Sequence, residues 1–282
     1  MTTKADTSSD ADFGVFALPA DREALRKNAS KFKDTRAGRL RISYYRKRAF
    51  KDLPDPFDVT IIPGVNARLW PRSNRCEKRA FAGQQVWDSS ERNALITAMK
   101  NSERKPFIFL DVGANVGLYS LILAAQAKDT KIPVRILAIE PDQTNRARLE
   151  FNIAASNADI EVLPIAISDK RGKGSMVGGD VNRGEARLDT KTTTDPVKVD
   201  TLYGVCKSRK IYHVNAMKVD IEGYDLKALS CFFAKAPEEL WPALLILETG
   251  RAPTTPLLEL CEQHGYTITK RAGINSILER NI

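Results

Sequence analysis

Residues 107–117, FIFLDVGANVG, decide the fold. An apolar run (Phe107, Ile108, Phe109, Leu110) meets Asp111, then Gly113 and Gly117, with Ala114 and Asn115 between the glycines. Past Gly117 the apolar residues Leu118, Leu121, Ile122 and Ala125 recur at helical spacing. The pattern predicts a strand, a tight glycine turn and a helix, the opening unit of a doubly wound α/β domain. Gly113 can take a positive φ and lets a ligand come close to the backbone. The N–H groups opening the next helix suit an anion or a carboxylate. A ligand with a negatively charged end is therefore expected over this turn.

A second apolar strand, 134–139, closes on Glu140, Pro141 and Asp142. An acid at the end of the second strand of such a sheet accepts hydrogen bonds from ribose hydroxyls. The turn is not G-x-G-x-x-G, because Ala114 and Asn115 occupy its middle. That spacing counts against a nicotinamide dinucleotide and suits a smaller adenosine ligand. Asp111 and Glu140 taken singly also read as plain strand-end acids; taken together, each closing an apolar strand, they favour a ligand site.

Five segments carry a family resemblance: 110–124 (LDVGANVGLYSLILA), 139–157 (IEPDQTNRARLEFNIAASN), 164–172 (PIAISDKRG), 217–229 (MKVDIEGYDLKAL) and 245–250 (LILETG). On them the chain resembles the FkbM-type S-adenosylmethionine (SAM) methyltransferases, from the seventies to the end. The D-x-E-G element at 220–223 is the more diagnostic piece. The resemblance implies a Rossmann-like class I methyltransferase sheet, mostly parallel, with an antiparallel C-terminal hairpin. It implies SAM as cofactor and S-adenosylhomocysteine as product. Asp111, Gly113, Ala114, Asn115, Gly117, Glu140, Pro141, Ala166, Asp169 and Asp220 are the residues expected to hold it, with 166–169 against the adenine ring. A turn closed by Ser168 and Asp169 is an equally good local reading of that junction.

The 282-residue chain, 43% hydrophobic and 28% charged, reads as an ordinary globular composition with room for one large α/β domain and an extension. It lacks an apolar run of the roughly 18–20 residues a membrane span needs and an apolar signal core in its first thirty residues. Cys76, Cys206, Cys231 and Cys261 are scattered, without a C-x-x-C, which predicts reduced thiols and a cytoplasmic setting. The expected organisation is a disordered tail (1–20), a basic extension (21–75) and the methyltransferase domain (76–282).

The net charge of +9 is concentrated early: residues 1–75 carry 16 Lys/Arg against 9 Asp/Glu. DREALRKNASKFK (21–33) can be helical, with Asp21 as N-cap candidate, and LRISYYRKRAF (40–50) interleaves cations with Tyr44, Tyr45 and Phe50. This arm reads as a helix packed on the catalytic domain, as a nucleic-acid or acidic-membrane contact, or as a cover for an anionic or sugar-like acceptor. It contains no RNA- or DNA-binding motif. A hairpin across Pro63-Gly64 and a helix from Cys76 follow, with Glu77 and Trp87 as candidate pocket residues, although residues of these types are more often structural and Trp87 reads better as core.

A third strand is expected at 160–165. The glycine-rich insertion 170–195 is long for a connection, and such loops carry substrate contacts. Asn182, Arg183 and Arg187 are its candidate substrate residues; a mobile hairpin of 175–177 with 186–188 is the plainer alternative. The fourth strand ends in Asp220, Ile221, Glu222 and Gly223, and the fifth in Glu248, so three carboxylates meet at the strand ends where α/β sheets bind ligands. Repulsion among them can raise one pKa and yield a base for a hydroxyl proton. They also suit a hard divalent cation, which is not predicted, and neither His213 nor His264 is placed to be a ligand.

The expected activity is O-methylation of a hydroxyl on a sugar, polyketide or related small metabolite, with Asp220, Glu222 and Glu248 as base or base-orienter. The rivals are an RNA methyltransferase using the basic arm and a non-catalytic module that kept the SAM fold. A small-molecule or carbohydrate acceptor is favoured over nucleic acid; a homo-oligomer is left open.

Overall fold

The computed structural model describes residues 11–83, 85, 87–178, 187–189, 196–250, 252 and 254–281. Helices α1 (Ala20–Ala29) and α2 (Arg36–Ala49) precede an antiparallel hairpin of β1 (Phe57–Ile62) and β2 (Val65–Leu69). Then come α3 (Arg75–Phe81), α4 (Ser89–Asn101), β3 (Phe107–Val112), α5 (Leu118–Thr130), β4 (Val134–Ile139), α6 (Gln143–Ser156) and β5 (Glu161–Leu163). The strands β6 (Ile165–Ile167), β7 (Gly172–Val177), β8 (Arg187–Asp189) and β9 (Pro196–Asp200) follow, and α7 (Leu202–Ser208) leads to β10 (Ala216–Val219) and α8 (Asp225–Lys235). β11 (Leu244–Glu248), α9 (Pro256–Gln263), β12 (Tyr266–Ala272) and β13 (Asn275–Arg280) complete the order.

The main sheet runs β12-β13-β11-β10-β3-β4-β5. From β11 to β5 every pair is parallel, whereas β13 is antiparallel to both β11 and β12. β12 is kinked, its register shifting between Ile268 and Lys270. Strands covered on both faces need apolar residues at every position, which is why β3 reads FIFLDV and is buried throughout. Alternate side chains part to opposite layers. Ile108, Leu110 and Val112 pack with Leu202, Leu229, Phe232 and Leu258. Phe107 and Phe109 pack with Leu95, Met99, Leu121 and the hairpin residues Val59 and Leu69.

The third strand departs from expectation. It breaks at Pro164, whose missing N–H ends the ladder. β5 pairs with β4 in the main sheet, and β6 crosses into a second sheet of order β6-β9-β7-β8. The expected insertion hairpin forms as β7 with β8, Met176 opposite Leu188, but β9 joins it to β6. Ala186 lies outside the described residues.

Helix α1 starts at Ala20 with Pro19 as N-cap, so Asp21 sits inside the first turn instead of capping it, where a carboxylate suits the helix dipole. Residues 11–19, expected to be disordered, are tied down; residues 1–10 lie outside the described residues. The fully buried Arg68 donates to both oxygens of Asp58 at 2.7 and 2.9 Å and to the carbonyls of Ala11 (2.9 Å) and Asp12 (2.8 Å). Asp58 also accepts the N–H groups of Gly14 and Phe16. A buried guanidinium demands such acceptors, and the early chain supplies two of them. Among the described residues, no helix is long and apolar enough to cross a membrane.

Candidate active site

The glycine turn is set by packing between strands. Gly113 has φ +79°, and a Cβ there would lie 1.9 Å from the Asp220 carbonyl oxygen. The group that approaches this glycine is therefore the end of β10, where the sequence suggested a ligand. Asn115, at φ +53°, donates its N–H to Glu140 Oε2 at 2.7 Å, and Glu140 Oε1 accepts from the Asp142 N–H at 2.9 Å. Glu140 thus clamps the turn to the end of β4. Its burial pushes the carboxyl up to about 8, against the two backbone bonds that favour the anion. On the other side Asn74 donates through Nδ2 to Asn115 Oδ1 at 2.9 Å, while its own Oδ1 accepts the Cys76 and Glu77 N–H groups that open α3.

Two clefts meet over this turn. The first is lined by Gly113, Asn115, Glu140, Pro141, Ala166 and Asp220, six of the predicted cofactor residues, together with Ile139, Asn145, Ile165, Ile167, Met176 and Leu188. The second holds Ala114, Tyr119, Lys218, Asp220, Glu222 and Glu248 on the strand side, faced by Arg46, Asn74, Arg75 and Lys78 from the extension and α3. Gly113, Asn115, Asp220 and Glu222 line both.

Asp111, Gly117 and Asp169 line neither cleft. Asp111 lies buried beneath the turn, Oδ2 accepting from Ser120 Oγ at 2.7 Å and Oδ1 without a hydrogen-bond partner among the described residues. Burial raises its pKa, opposed by Lys218, its cross-strand neighbour in β10. Gly117 is the N-cap of α5, and a Cβ there would strike Leu149 Cδ1 at 2.1 Å. Asp169 is exposed and accepts from Ser168 Oγ, which holds its carboxyl below the usual range; its neighbours Ala166 and Ile167 face the cleft.

The three strand-end carboxylates reach one rim, with a cation among them that the sequence reading missed. Lys218 Nζ pairs with Asp220 Oδ2 at 3.0 Å. Burial alone would depress its pKa, but Asp220 and Asp111 outweigh that and raise it, so the ammonium persists. Partial loss of water pushes Glu248 up to about 6, Asp220 adding and Lys218 opposing. Glu222 stands in a left-handed turn at φ +49°, steadied by Asp225, whose carboxylate accepts the Ile221 and Gly223 N–H groups, each at 3.2 Å. Among the described residues, no group of three or more His, Cys, Asp or Glu is placed to hold a metal ion.

Glu77 is no pocket residue. It is fully buried, pairs with Arg148 at 3.1 Å and accepts the Trp70 N–H, and burial pushes it up to about 7. Trp87 does border the second cleft while packing edge-on against Tyr119, ring centroids 5.0 Å apart. Asn182 and Arg183 lie outside the described residues, as does the Arg187 side chain. The described part of the insertion, through Met176 and Leu188, walls the first cleft.

The profile of a family described as "Methyltransferase FkbM domain" matches residues 111–267, more than half of the chain. The chain belongs to the FkbM methyltransferase family. It is accordingly a SAM-dependent methyltransferase. The cleft lined by Glu140, the glycine turn at Gly113 and Asn115, and Asp220 fits that cofactor.

Over 62 residues, 22% of this chain, the sequence is 42% identical to the AMB antimetabolite synthetase AmbE of Pseudomonas aeruginosa, of which that segment is 3%. Similar solved structures include a SAM-dependent methyltransferase from Agrobacterium tumefaciens (13% identity, covering 81% of this chain and 70% of that one, TM-score 0.45). Another is the T. thermophilus 16S rRNA N2 G1207 methyltransferase RsmC in complex with AdoMet and guanosine (14% identity, 80% and 50% covered, TM-score 0.41).

Proposed function

We propose that this methyltransferase acts on a hydroxyl of a sugar, polyketide or related small metabolite, bound in the second cleft. The observation that carries the reading is the shared wall. Gly113, Asn115, Asp220 and Glu222 border both clefts, and Glu248 borders only the second. SAM, when bound, supplies a methyl already activated on a sulfonium. Glu140 and the Ala166–Ile167 segment would hold its adenosine end, and Gly113, Asn115 and Asp220 the end next to the acceptor. The remaining task is to align the acceptor oxygen, exclude water and take its proton.

Glu248 is the assigned base. A carboxylate raised to about 6 is still ionised at neutral pH, yet more basic than an ordinary glutamate. Asp220, held by Lys218, orients the acceptor hydroxyl; Glu222 lines the passage between the clefts. Residues 76–282 act in this reading as the catalytic domain. Residues 21–75 act as an extension that closes the acceptor cleft through Arg46 and Asn74, the latter bonded directly to the glycine turn.

The test is Glu248→Gln. Methyl transfer from labelled SAM to a panel of hydroxylated acceptors should fall about 10²–10⁴-fold, with S-adenosylhomocysteine affinity unchanged. The wild-type rate should climb with pH through about 6 as Glu248 ionises, and the variant should lack that limb. Retained activity with the limb intact removes Glu248 from the role. The exposed cations Arg41, Lys47 and Arg48 on α2 favour a second reading, an RNA acceptor. RNA retention that collapses steeply between low and moderate salt would select it.

A further inference from the structure

The second cleft does not stop at the carboxylate rim. It runs on between α2 and the β12–β13 turn into a depression that includes Ser43 and Ser90, and Arg46, Arg79, Asp88, Ile274 and Asn275 line both parts. The groove is therefore continuous from the carboxylate rim to the basic extension.

Two guanidiniums stand at the junction. Arg79 is paired with Asp88 at 2.9 Å, and the other oxygen of Asp88 accepts from the Tyr119 hydroxyl at 3.1 Å, so that carboxylate is engaged. Arg46 differs: its Nε is buried with no hydrogen-bond partner among the described residues. Burial lowers its pKa, and the charge of Arg79 lowers it further. Enclosing an N–H donor of a cation beside a like charge is costly unless an anion arrives. Lys78, on the α3 wall of the same groove, makes no ion pair with a described residue. The acids nearest the methyl-transfer point, Asp220, Glu222 and Glu248, lie on the strand side, so the groove has an acidic wall and a basic one.

We propose that the acceptor carries a phosphoryl group, seated against Arg46 at this junction and reached by Lys78 from the α3 wall of the second cleft, while the hydroxyl to be methylated lies at Glu248. The proposal rests on reading the second cleft as the acceptor site. A guanidinium fork takes two oxygens of a phosphoryl group at once. Lys78, on the α3 wall of the second cleft, adds a point charge, and the hydroxyls of Ser43 and Ser90 in the adjoining depression add neutral donors.

The experiment is calorimetric titration of the full chain, saturated with S-adenosylhomocysteine, with inorganic phosphate and pyrophosphate and with malonate as the carboxylate arm. Phosphate or pyrophosphate should bind, Arg46→Gln and Lys78→Gln should each weaken that binding about tenfold, and Arg41→Gln, on the outer side of the same helix, should not. S-adenosylhomocysteine affinity, measured alongside, must stay at the wild-type value in every variant, which shows that the fold and cofactor site survive. No phosphate binding by the wild type, or binding indifferent to Arg46 and Lys78, overturns the proposal. Binding of malonate but not phosphate overturns the phosphoryl class. Failure of the wild type to bind S-adenosylhomocysteine is a separate result, against the cofactor reading.

Discussion

Replacing Gly113 by alanine puts a methyl group 1.9 Å from the carbonyl oxygen of Asp220 and 2.9 Å from its carbonyl carbon. Both are backbone atoms, so no rotamer change relieves the clash. The φ of +79° adds a left-handed penalty of roughly 1–2 kcal/mol for a residue with a Cβ. Moving the turn and strand apart by more than an ångström resembles overpacking a core, about 1–3 kcal/mol. It also strains the Asp220 N–H bond to Val112 O, now 3.0 Å, worth about 1 kcal/mol. The sum, roughly 3–6 kcal/mol, is a large part of the ~5–15 kcal/mol a native domain has. Gly265→Ala is the control, because φ is +83° there but nothing lies within 4 Å of the added carbon; it should cost only the roughly 1–2 kcal/mol of the backbone term. Denaturant unfolding of both variants, with S-adenosylhomocysteine titration of each, separates the clash from the φ term. If Gly113→Ala matches Gly265→Ala within 1 kcal/mol (a bound set by the ~1 kcal/mol scale of the missing bond) and binds S-adenosylhomocysteine as the wild type does, the packing account of the turn is wrong.

Two further outcomes follow from the charges around the turn. Lys218→Met removes the cation that opposes the rise in Glu248, so the ascending limb of the pH–rate profile should move above about 6; an unmoved limb would show that Lys218 does not act on that carboxylate. Glu140 has its folded pKa raised from the ordinary 4.5 to about 8, so its contribution to stability is present below 4.5 and is lost as pH rises through 8. Ribose hydroxyls donating to it favour the anion, so S-adenosylhomocysteine affinity should rise with pH to about 8 and then level, with proton release on binding; pH-independent affinity would separate Glu140 from the ligand.

Hydrophobic period carried most of the fold. The run at 107–110, the helical spacing after Gly117 and the acids closing 134–139 and 243–247 are local signals, and the sheet obeys them. What escaped was decided by partners distant in sequence. Pro164 looked like one residue inside a strand, yet its lost donor sends Ile165–Ile167 to pair with Pro196–Asp200, some thirty residues on. Glu77, a pocket candidate whose type is more often structural, is structural, and nothing near it in sequence announces the partner, Arg148, which meets it from α6. Asp111 read as a cofactor ligand, but the pleat aims it under the turn toward Ser120. Lys218 was the one signal available and unused: a lysine inside the buried strand AMKV needs a carboxylate, and Asp220 stands two residues ahead.

The two rims of the main sheet also govern how copies of this chain meet. One ends in β5, three residues long and stopped by Pro164; the other is β12, kinked between Ile268 and Lys270 and carrying the exposed Lys270 and Arg271. Short, bulged and charged rims are poor templates for a foreign strand. At high concentration the main sheet of the native molecule therefore offers little for edge-to-edge growth.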